Sequence, residues 1–387
     1  MPAKPDATLR ILHVLRAPVG GLFRHVVDLA RGQAQRGHLV GIVADATTGG
    51  ARAEDALAQL APDLALGITR IPMSRHIALS DRDAVGAVAR RAAEADVLHG
   101  HGAKGGAYAR LASRRDAICV YTPHGGSLHY GWLSPAGIFY LAAERLLNAR
   151  TDLILFESFF GRDAFRAKVG EPAALVRVVH NGVTPAELEP VEPAPRATNL
   201  VFVGELRKLK GIDLLIEALA MLARDGRGVS ATIVGEGPER GAFEAQVAAA
   251  KLTDAISFVG AKPARAAFAL GEILVVPSRA ESLPYVVLEA AAASVPMVAT
   301  HVGGIPEIFG PDATSLVPPD DAPALAGALA AALAQPAAAH AAAWRLNMRV
   351  RAHFSAEIMV DAVLAAYREA LAARPAASEC AALKPAG

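Results

Sequence analysis

Short apolar runs recur along almost the whole chain, each closed by a loop containing glycine, proline or serine and followed by a helical pattern. A first series places such runs at residues 9–15, 39–44, 66–71, 97–98, 117–121, 153–156 and 176–179. Between them, Phe23, Val26, Val27 and Ala30 recur at helical spacing from about residue 22, and a second helix is expected over 82–95. Residues 184–197 hold four prolines and no periodicity, which reads as a linker. A second series follows at 200–203, 231–234, 256–259, 273–276, 297–300 and 315–317, with Leu215, Leu219 and Leu222 in helical register. Strands this short and this apolar are buried on both faces, and strands alternating with helices make parallel sheets. The expected fold class is therefore α/β. Two doubly wound, Rossmann-like domains are expected at 1–183 and 199–352, joined by a linker at 184–198, with ligands beyond the carboxyl ends of strands.

With 387 residues, 53% of them hydrophobic, each domain can bury a sizeable core. A net charge of +1 argues against bulk nucleic-acid binding, so no nucleic-acid partner is expected. Cys119 and Cys380 share no short spacing, which indicates neither a disulfide framework nor a zinc site and fits a reducing cytoplasm. Residues 1–8 are polar, without the apolar centre of a signal peptide, and no apolar run reaches ~18 residues. The longest Ala/Leu stretch, 322–334, is broken by Gln335 and Pro336. The expectation is a cytoplasmic protein, at most peripheral to a membrane. Met359, Val363, Ala366, Tyr367 and Ala370 form one stripe of a last helix over 356–373, and residues 374–387 are expected to fray.

Residues 277–306 concentrate the chemistry. Pro277 and Ser278 stop a strand, Ser282 is placed to cap a helix, and Pro284 suits that helix's first turn. Free N–H groups at such a helix start, with the positive end of its dipole, suit a phosphate. Glu281 and Glu289 frame the site, roughly 12 Å apart if the segment is helical throughout. Glu289 lies among Val286, Val287, Leu288 and alanines, where a carboxylate needs a partner. The loop 204–211 offers Gly204 for close backbone approach and Arg207, Lys208 and Lys210 for a diphosphate. Gly20 and Gly21 follow the first strand as a loop, with His25 one helical turn further on. His99, His101 and Lys104 follow one strand and His124 another. His99-Gly100-His101 could suggest a metal, but no third ligand cluster or acidic pair accompanies it in the sequence, so no metal is expected. Gly235-Glu236-Gly237-Pro238 fails as a dinucleotide fingerprint because position 240 is Arg and a proline intrudes.

Glu281, seven intervening residues and Glu289, inside Pro-Ser-x-x-Glu-Ser-Leu-Pro-x-x-x-Leu-Glu-Ala and followed by Val-Gly-Gly-Ile-Pro-Glu, resemble the donor-site signature of retaining family 4 glycosyltransferases. The resemblance implies a GT-B architecture, with the two domains facing across a cleft and a C-terminal segment, 353–373, crossing back onto the N-terminal domain. It implies a nucleotide diphosphate sugar, UDP- or GDP-linked, as donor. The acceptor would be a sugar, lipid-linked or small-molecule hydroxyl, in polysaccharide or glycolipid synthesis. It implies Arg207 and Lys210 on the phosphates, Glu281 and His124 on the sugar, and Glu289 on the ribose. Gly20, Gly21, Gly204, Gly235, Gly237, Gly260, Ser282, Leu283 and Pro284 would line the donor, and His101 and Lys104 the acceptor side, with His129, Tyr130 and Trp132 shaping an acceptor loop. His180-Asn181 resembles the family's turn at the domain junction. Glu205 stands where the family carries an arginine, and Arg207 is the substitute. A nucleotide-sugar epimerase or hydrolase, or a non-catalytic nucleotide-sugar binder, uses the same architecture. Oligomeric state is not legible.

Overall fold

The computed structural model describes residues 7–113, 116–129 and 131–374. The expected tail beyond 374, Cys380 and Tyr130 lie outside them. The chain forms two compact units, one of residues Met1–His180 with Ala356–Gly387 and one of Asn181–Ser355.

Seven parallel strands build the sheet of the first unit: β1 Arg10–Leu15, β2 Leu39–Asp45, β3 Gly67–Ile71, β4 Val97–His101, β5 Ile118–Thr122, β6 Leu153–Phe156 and β7 Leu175–Val178. Their order is β3-β2-β1-β4-β5-β6-β7. The strand order therefore reverses between β1 and β4, which opens a crevice beyond their carboxyl ends. Both strands are buried almost throughout, as their apolar runs require.

The helix Ala356–Ala372 belongs to this unit. Its Met359, Val360, Val363 and Tyr367 pack with Leu9, Ile11, Leu29 and Val97 in one core cluster. Fully burying an aliphatic side chain of this kind contributes roughly 1.5–3 kcal/mol, which fixes the helix within this unit's core.

The second unit has five parallel strands: β8 Thr198–Val203, β9 Ala231–Val234, β10 Ile256–Phe258, β11 Gly271–Val276 and β12 Met297–Ala299. Their order is β10-β9-β8-β11-β12, with the reversal between β8 and β11.

Four expectations need correction. No strand forms at 315–317; Gly310–Ser315 is a 3-10 helix and Val317 makes only an isolated bridge to Thr300. Gly20 and Gly21 are not a loop but the first residues of the helix Gly20–Gln35. The helix expected over 82–95 runs Asp81–Arg91 and tightens to a 3-10 turn. Residues 184–197 are not a free linker either. Val191 N–H donates to Ala293 O at 3.0 Å and Ala194 N–H to Ala269 O at 2.8 Å, so tertiary hydrogen bonds override the proline-rich composition. The division between units falls instead at His180/Asn181 and again at Ser355/Ala356.

Among the described residues no single helix is long and apolar enough to cross a membrane. Helices Ala322–Ala334 and Pro336–His353 pass that test only together, and the chain bends by 102° between them.

Candidate active site

In the second unit, the loops after β8 and β11 meet at the reversal of strand order. Lys210 Nζ donates to Glu281 Oε1 at 2.7 Å and Oε2 at 2.9 Å, and Ser278 Oγ donates to Oε1 at 2.7 Å. Glu281 is buried, so the ammonium and hydroxyl supply the partners that a desolvated carboxylate needs. An ammonium has three donors, so Lys210 keeps donor capacity for a ligand oxygen. Arg207 Nε lies 3.0 Å from Glu205 Oε1 as a charge contact without hydrogen-bond alignment, and both side chains are well exposed. Arg279, unremarked in the sequence, fixes the loop by donating to Asp213 Oδ1 at 2.7 Å and Oδ2 at 3.0 Å.

The helix after this loop begins at Tyr285, with Pro284 as its N-cap. Ser282 is therefore not the cap: its carbonyl instead accepts from Gly304 N–H at 2.6 Å. Because 281–284 is not helical, the premise of the 12 Å spacing between Glu281 and Glu289 does not hold. Glu289 sits on the second turn of the helix Tyr285–Ala292 and is half-buried. Asn181 Nδ2 donates to Leu283 O at 2.9 Å, which ties the chain at the unit boundary to the loop.

The glycines act chiefly on the backbone. A Cβ on Gly303, at φ +58°, would lie 1.9 Å from Glu281 O. A Cβ on Gly235 would lie 1.8 Å from Gly204 O, and one on Gly237 2.4 Å from Leu206 O. Gly235 and Gly237 thus let two loops touch. Gly260 lies beside Glu236, and Gly204 beside the Phe202 ring.

In the first unit, the reversal between β1 and β4 is filled with imidazoles. His13 on β1 pairs in register with His99 on β4. His13 Nδ1 and His101 Nε2 are 3.0 Å apart, and His101 Nδ1 and His124 Nε2 are 3.1 Å apart. The chain continues from His124 Nδ1 to Glu157 Oε2 at 3.5 Å, and from His13 Nε2 to Gln33 Oε1 at 2.8 Å. His99 bridges Tyr367 Oη at 2.6 Å and Thr122 Oγ1 at 2.8 Å, and the His25 ring meets the His124 ring edge-on at 4.8 Å. His124 is held at φ +50°, an uncommon conformation for a non-glycine residue.

Burial lowers the pKa of His13 to about 4 against its hydrogen bond to Gln33. Burial, and then repulsion from neighbouring imidazoles, lowers His99 and His101 well below the ordinary value. These three rings are neutral at pH 7, and a neutral imidazole donates once and accepts once. An ionised Glu157 requires a hydrogen on His124 Nδ1. His101 then donates through Nδ1, His13 donates through Nδ1, and His13 Nε2 becomes an acceptor. Turning the Gln33 amide over supplies that donor and gives its otherwise unpartnered Nε2 a bond.

The expectation that His99 and His101 lack a third ligand is also corrected. His13, His99 and His101, and likewise His25, His101 and His124, bring ligand atoms within 4.8 Å of one another, close enough to hold a cation.

Beside His101 and His124 opens a cavity of about 880 Å³ with apolar walls that include Leu22, Val85, Leu111, Phe139 and Leu147. Lys104 also lines it, but its ammonium donates to Ser74 O at 2.6 Å and His76 O at 2.7 Å and pairs with Asp81 at 3.0 Å. With its three donors engaged, Lys104 holds the 74–81 segment rather than offering itself to a ligand. Gly20 and Gly21 are exposed at their helix start. Trp132 donates to Lys168 O at 2.9 Å and stacks under Arg145, so it is packed on its own unit rather than lining the cavity. The His129 side chain lies outside the described residues.

Residues 19–187 match the Glycosyltransferase Family 4 model, and residues 197–335 the model of Glycosyl transferases group 1. The chain belongs to the group 1, family 4 glycosyltransferases. Relatives within these families include glycogen synthase of Mycobacterium tuberculosis, 32% identical over 222 residues, 55% of this chain and 54% of the relative. A GDP-mannose-dependent alpha-(1-6)-phosphatidylinositol monomannoside mannosyltransferase of the same species is 30% identical over 54% of this chain and 58% of its own. The chain thus spans little more than half the length of these glycosyltransferases. Sucrose-phosphate synthase from Thermosynechococcus elongatus shares the GT-B fold at a TM-score of 0.78, with 23% identity over 95% of this chain and all of its own. Anabaena Alr3699/HepE, solved in complex with UDP, aligns at a TM-score of 0.73 with 19% identity over 92% of this chain and 98% of its own.

Proposed function

We propose that the protein is a retaining glycosyltransferase that moves a sugar from a nucleotide diphosphate sugar to a hydroxyl acceptor, in the synthesis of a polysaccharide or glycolipid in the cytoplasm. The observation that carries this reading is the Lys210–Glu281 pair, at 2.7 Å, set at the strand-order reversal of the second unit in a chain of this family. Support comes also from relatives whose names specify a GDP-mannose donor.

In this reading Lys210 shares its ammonium between Glu281 and the donor's distal phosphate. Arg207 leaves its exposed contact with Glu205 for the same diphosphate. The Leu283 N–H, which meets no acceptor among the described residues, faces the phosphate as well. Glu281 accepts from sugar hydroxyls and Glu289 from the ribose. The anomeric carbon–oxygen bond to the phosphate breaks, the acceptor oxygen bonds to that carbon on the same face, and its proton passes to a phosphate oxygen. The protein's contribution is to stabilise the negative charge that grows on the leaving diphosphate. No protein nucleophile and no metal take part in these steps as proposed.

Thermal stabilisation of the protein by UDP-, GDP- and ADP-sugars tests the donor site. The expected result is a rise in Tm with one nucleotide that both Lys210→Ala and Glu289→Ala abolish. No rise with any of the three would overturn the donor-site reading.

A further inference from the structure

The cavity of the first unit carries a charge pattern that the donor chemistry does not use. Five cationic side chains line it, Arg16, Arg75, Arg82, Lys104 and Arg110, against two carboxylates, Asp81 and Glu144. Both carboxylates are already matched. Lys104 pairs with Asp81 at 3.0 Å, and buried Arg110 with Glu144 at 2.7 Å. Among the described residues, Arg16, Arg75 and Arg82 have no carboxylate partner. Arg110 adds a donor, because its Nη2 is buried without a hydrogen-bond partner. Arg75 and Arg82 are exposed and Arg16 half-buried, so their charges are hydrated and open to an incoming anion, whereas the buried Nη2 of Arg110 carries a desolvation cost that a ligand oxygen would relieve.

Apolar surface is concentrated on the same elements. Ile77, which lines the cavity, is 65% exposed. Phe139 and Leu111, which also line it, are 51% and 48% exposed. Single exposed apolar residues are ordinary, whereas a group of them around an apolar cavity marks a binding surface.

We propose that this cavity receives the acceptor as an anionic amphiphile, a long apolar chain joined through a diphosphate to the sugar that is extended. The inference rests on the transferase reading above and specifies its acceptor class. The apolar walls and rim take the chain, and Arg75, Arg82 and Arg16 take the diphosphate. The sugar hydroxyl then lies toward His101 and His124, at the end of the cavity nearest the strand ends. A neutral sugar acceptor would leave three guanidiniums unmatched, and a simple phosphate would leave the apolar rim wet.

Binding of farnesyl diphosphate to the full chain, measured by calorimetry with UDP at saturation, tests this. Farnesyl diphosphate is expected to bind at least about tenfold more tightly than inorganic pyrophosphate or farnesol, since each lacks one half of the recognition. The double variant Arg75→Ala/Arg82→Ala is expected to lose about tenfold in affinity while its stabilisation by the nucleotide sugar, and hence its fold, is kept. Lys210→Ala should bind farnesyl diphosphate as the wild type does. Displacement by UDP, or loss in Lys210→Ala, would place the ligand in the second unit and overturn the proposal. Equal affinity for pyrophosphate or farnesol, no binding at all, or an undiminished double variant would overturn it too. Retention on phosphatidylglycerol vesicles without any affinity for farnesyl diphosphate would replace it with a membrane-surface role for the patch. Failure of the donor reading shows separately, in the nucleotide panel.

Discussion

The two units place opposite chemistry at the same topological position. At the reversal between β8 and β11 the second unit holds a charged pair, Lys210 with Glu281, in which the ammonium keeps partial contact with solvent. At the reversal between β1 and β4 the first unit holds His13, His99 and His101, buried and neutral, and the chain from His13 through His101 and His124 ends at the carboxylate of Glu157. A polarised, partly solvated pair suits a site that must meet a charged leaving group. A neutral, hydrogen-bonded array suits a floor that fixes the orientation of one half-buried ring at the cavity, His124, without competing for an anion. On the proposed reading, the same backbone geometry hosts charge stabilisation in one half and orientation in the other.

The largest break in this contrast is Lys210→Met. Removing a donor aimed at developing negative charge costs roughly 10²–10³ in turnover. Glu281 would keep the Ser278 hydroxyl but lose its cation. The expected outcome is a turnover fall of about 10²–10³ with the near-ultraviolet circular dichroism unchanged. A fall of less than about tenfold would mean that the charged pair is only structural.

The histidine floor is broken by acid. His13, with its pKa lowered from 6.5 to about 4, binds its proton in the unfolded chain before it does so in the fold. His99 and His101 are lowered in the same direction. Their contribution to stability is therefore intact above pH 6.5 and is lost as pH falls toward about 4. Each such ring makes stability fall by about 1.4 kcal/mol per pH unit within that window. Urea unfolding at pH 7 and pH 5 should show this loss, and His13→Gln should flatten the dependence by about that slope. An unchanged slope in the variant would show that His13 is charged in the fold.

The same contrast explains what the sequence revealed. Glu281 and Glu289 were legible as a motif because their spacing is local, one in a short loop and the other on the helix that follows it, and Lys210 because it closes a short basic loop. The histidine array was not, because its members come from β1, the helix Gly20–Gln35, β4 and the loop after β5. Tyr367 reaches His99 from 268 residues away. One signal was available: His13 interrupts an otherwise apolar buried strand, and a polar group in such a run must find partners in the fold. The glycines at 235 and 237 show a related ambiguity. A glycine that lets a backbone approach a ligand and one that lets it approach another loop look alike until the loop is seen. Residues 184–197 read as a linker from composition because the hydrogen bonds that pin them are tertiary.

The smallest expected effect sharpens the comparison at Lys104, a cation of the first unit that, unlike Lys210, has no donor to spare. Its ammonium serves two carbonyls, Ser74 O and His76 O, and the carboxylate of Asp81. Burial acts to raise the pKa of Asp81, but hydrogen bonds from Tyr108, Lys104 and Ala78 prevail and hold it below the usual aspartate value. Lys104→Met keeps the stem and removes those donors, so Asp81 should titrate higher and the 74–81 segment should loosen. Losing contacts of this partly exposed kind costs about 1–2 kcal/mol. Hydrogen exchange should accelerate in residues 74–81 while nucleotide-sugar stabilisation, which belongs to the second unit, stays as in the wild type. If the donor-dependent shift in Tm fell instead, Lys104 would be a ligand contact like Lys210, and the division between a charged half and an orienting half would fail at that residue.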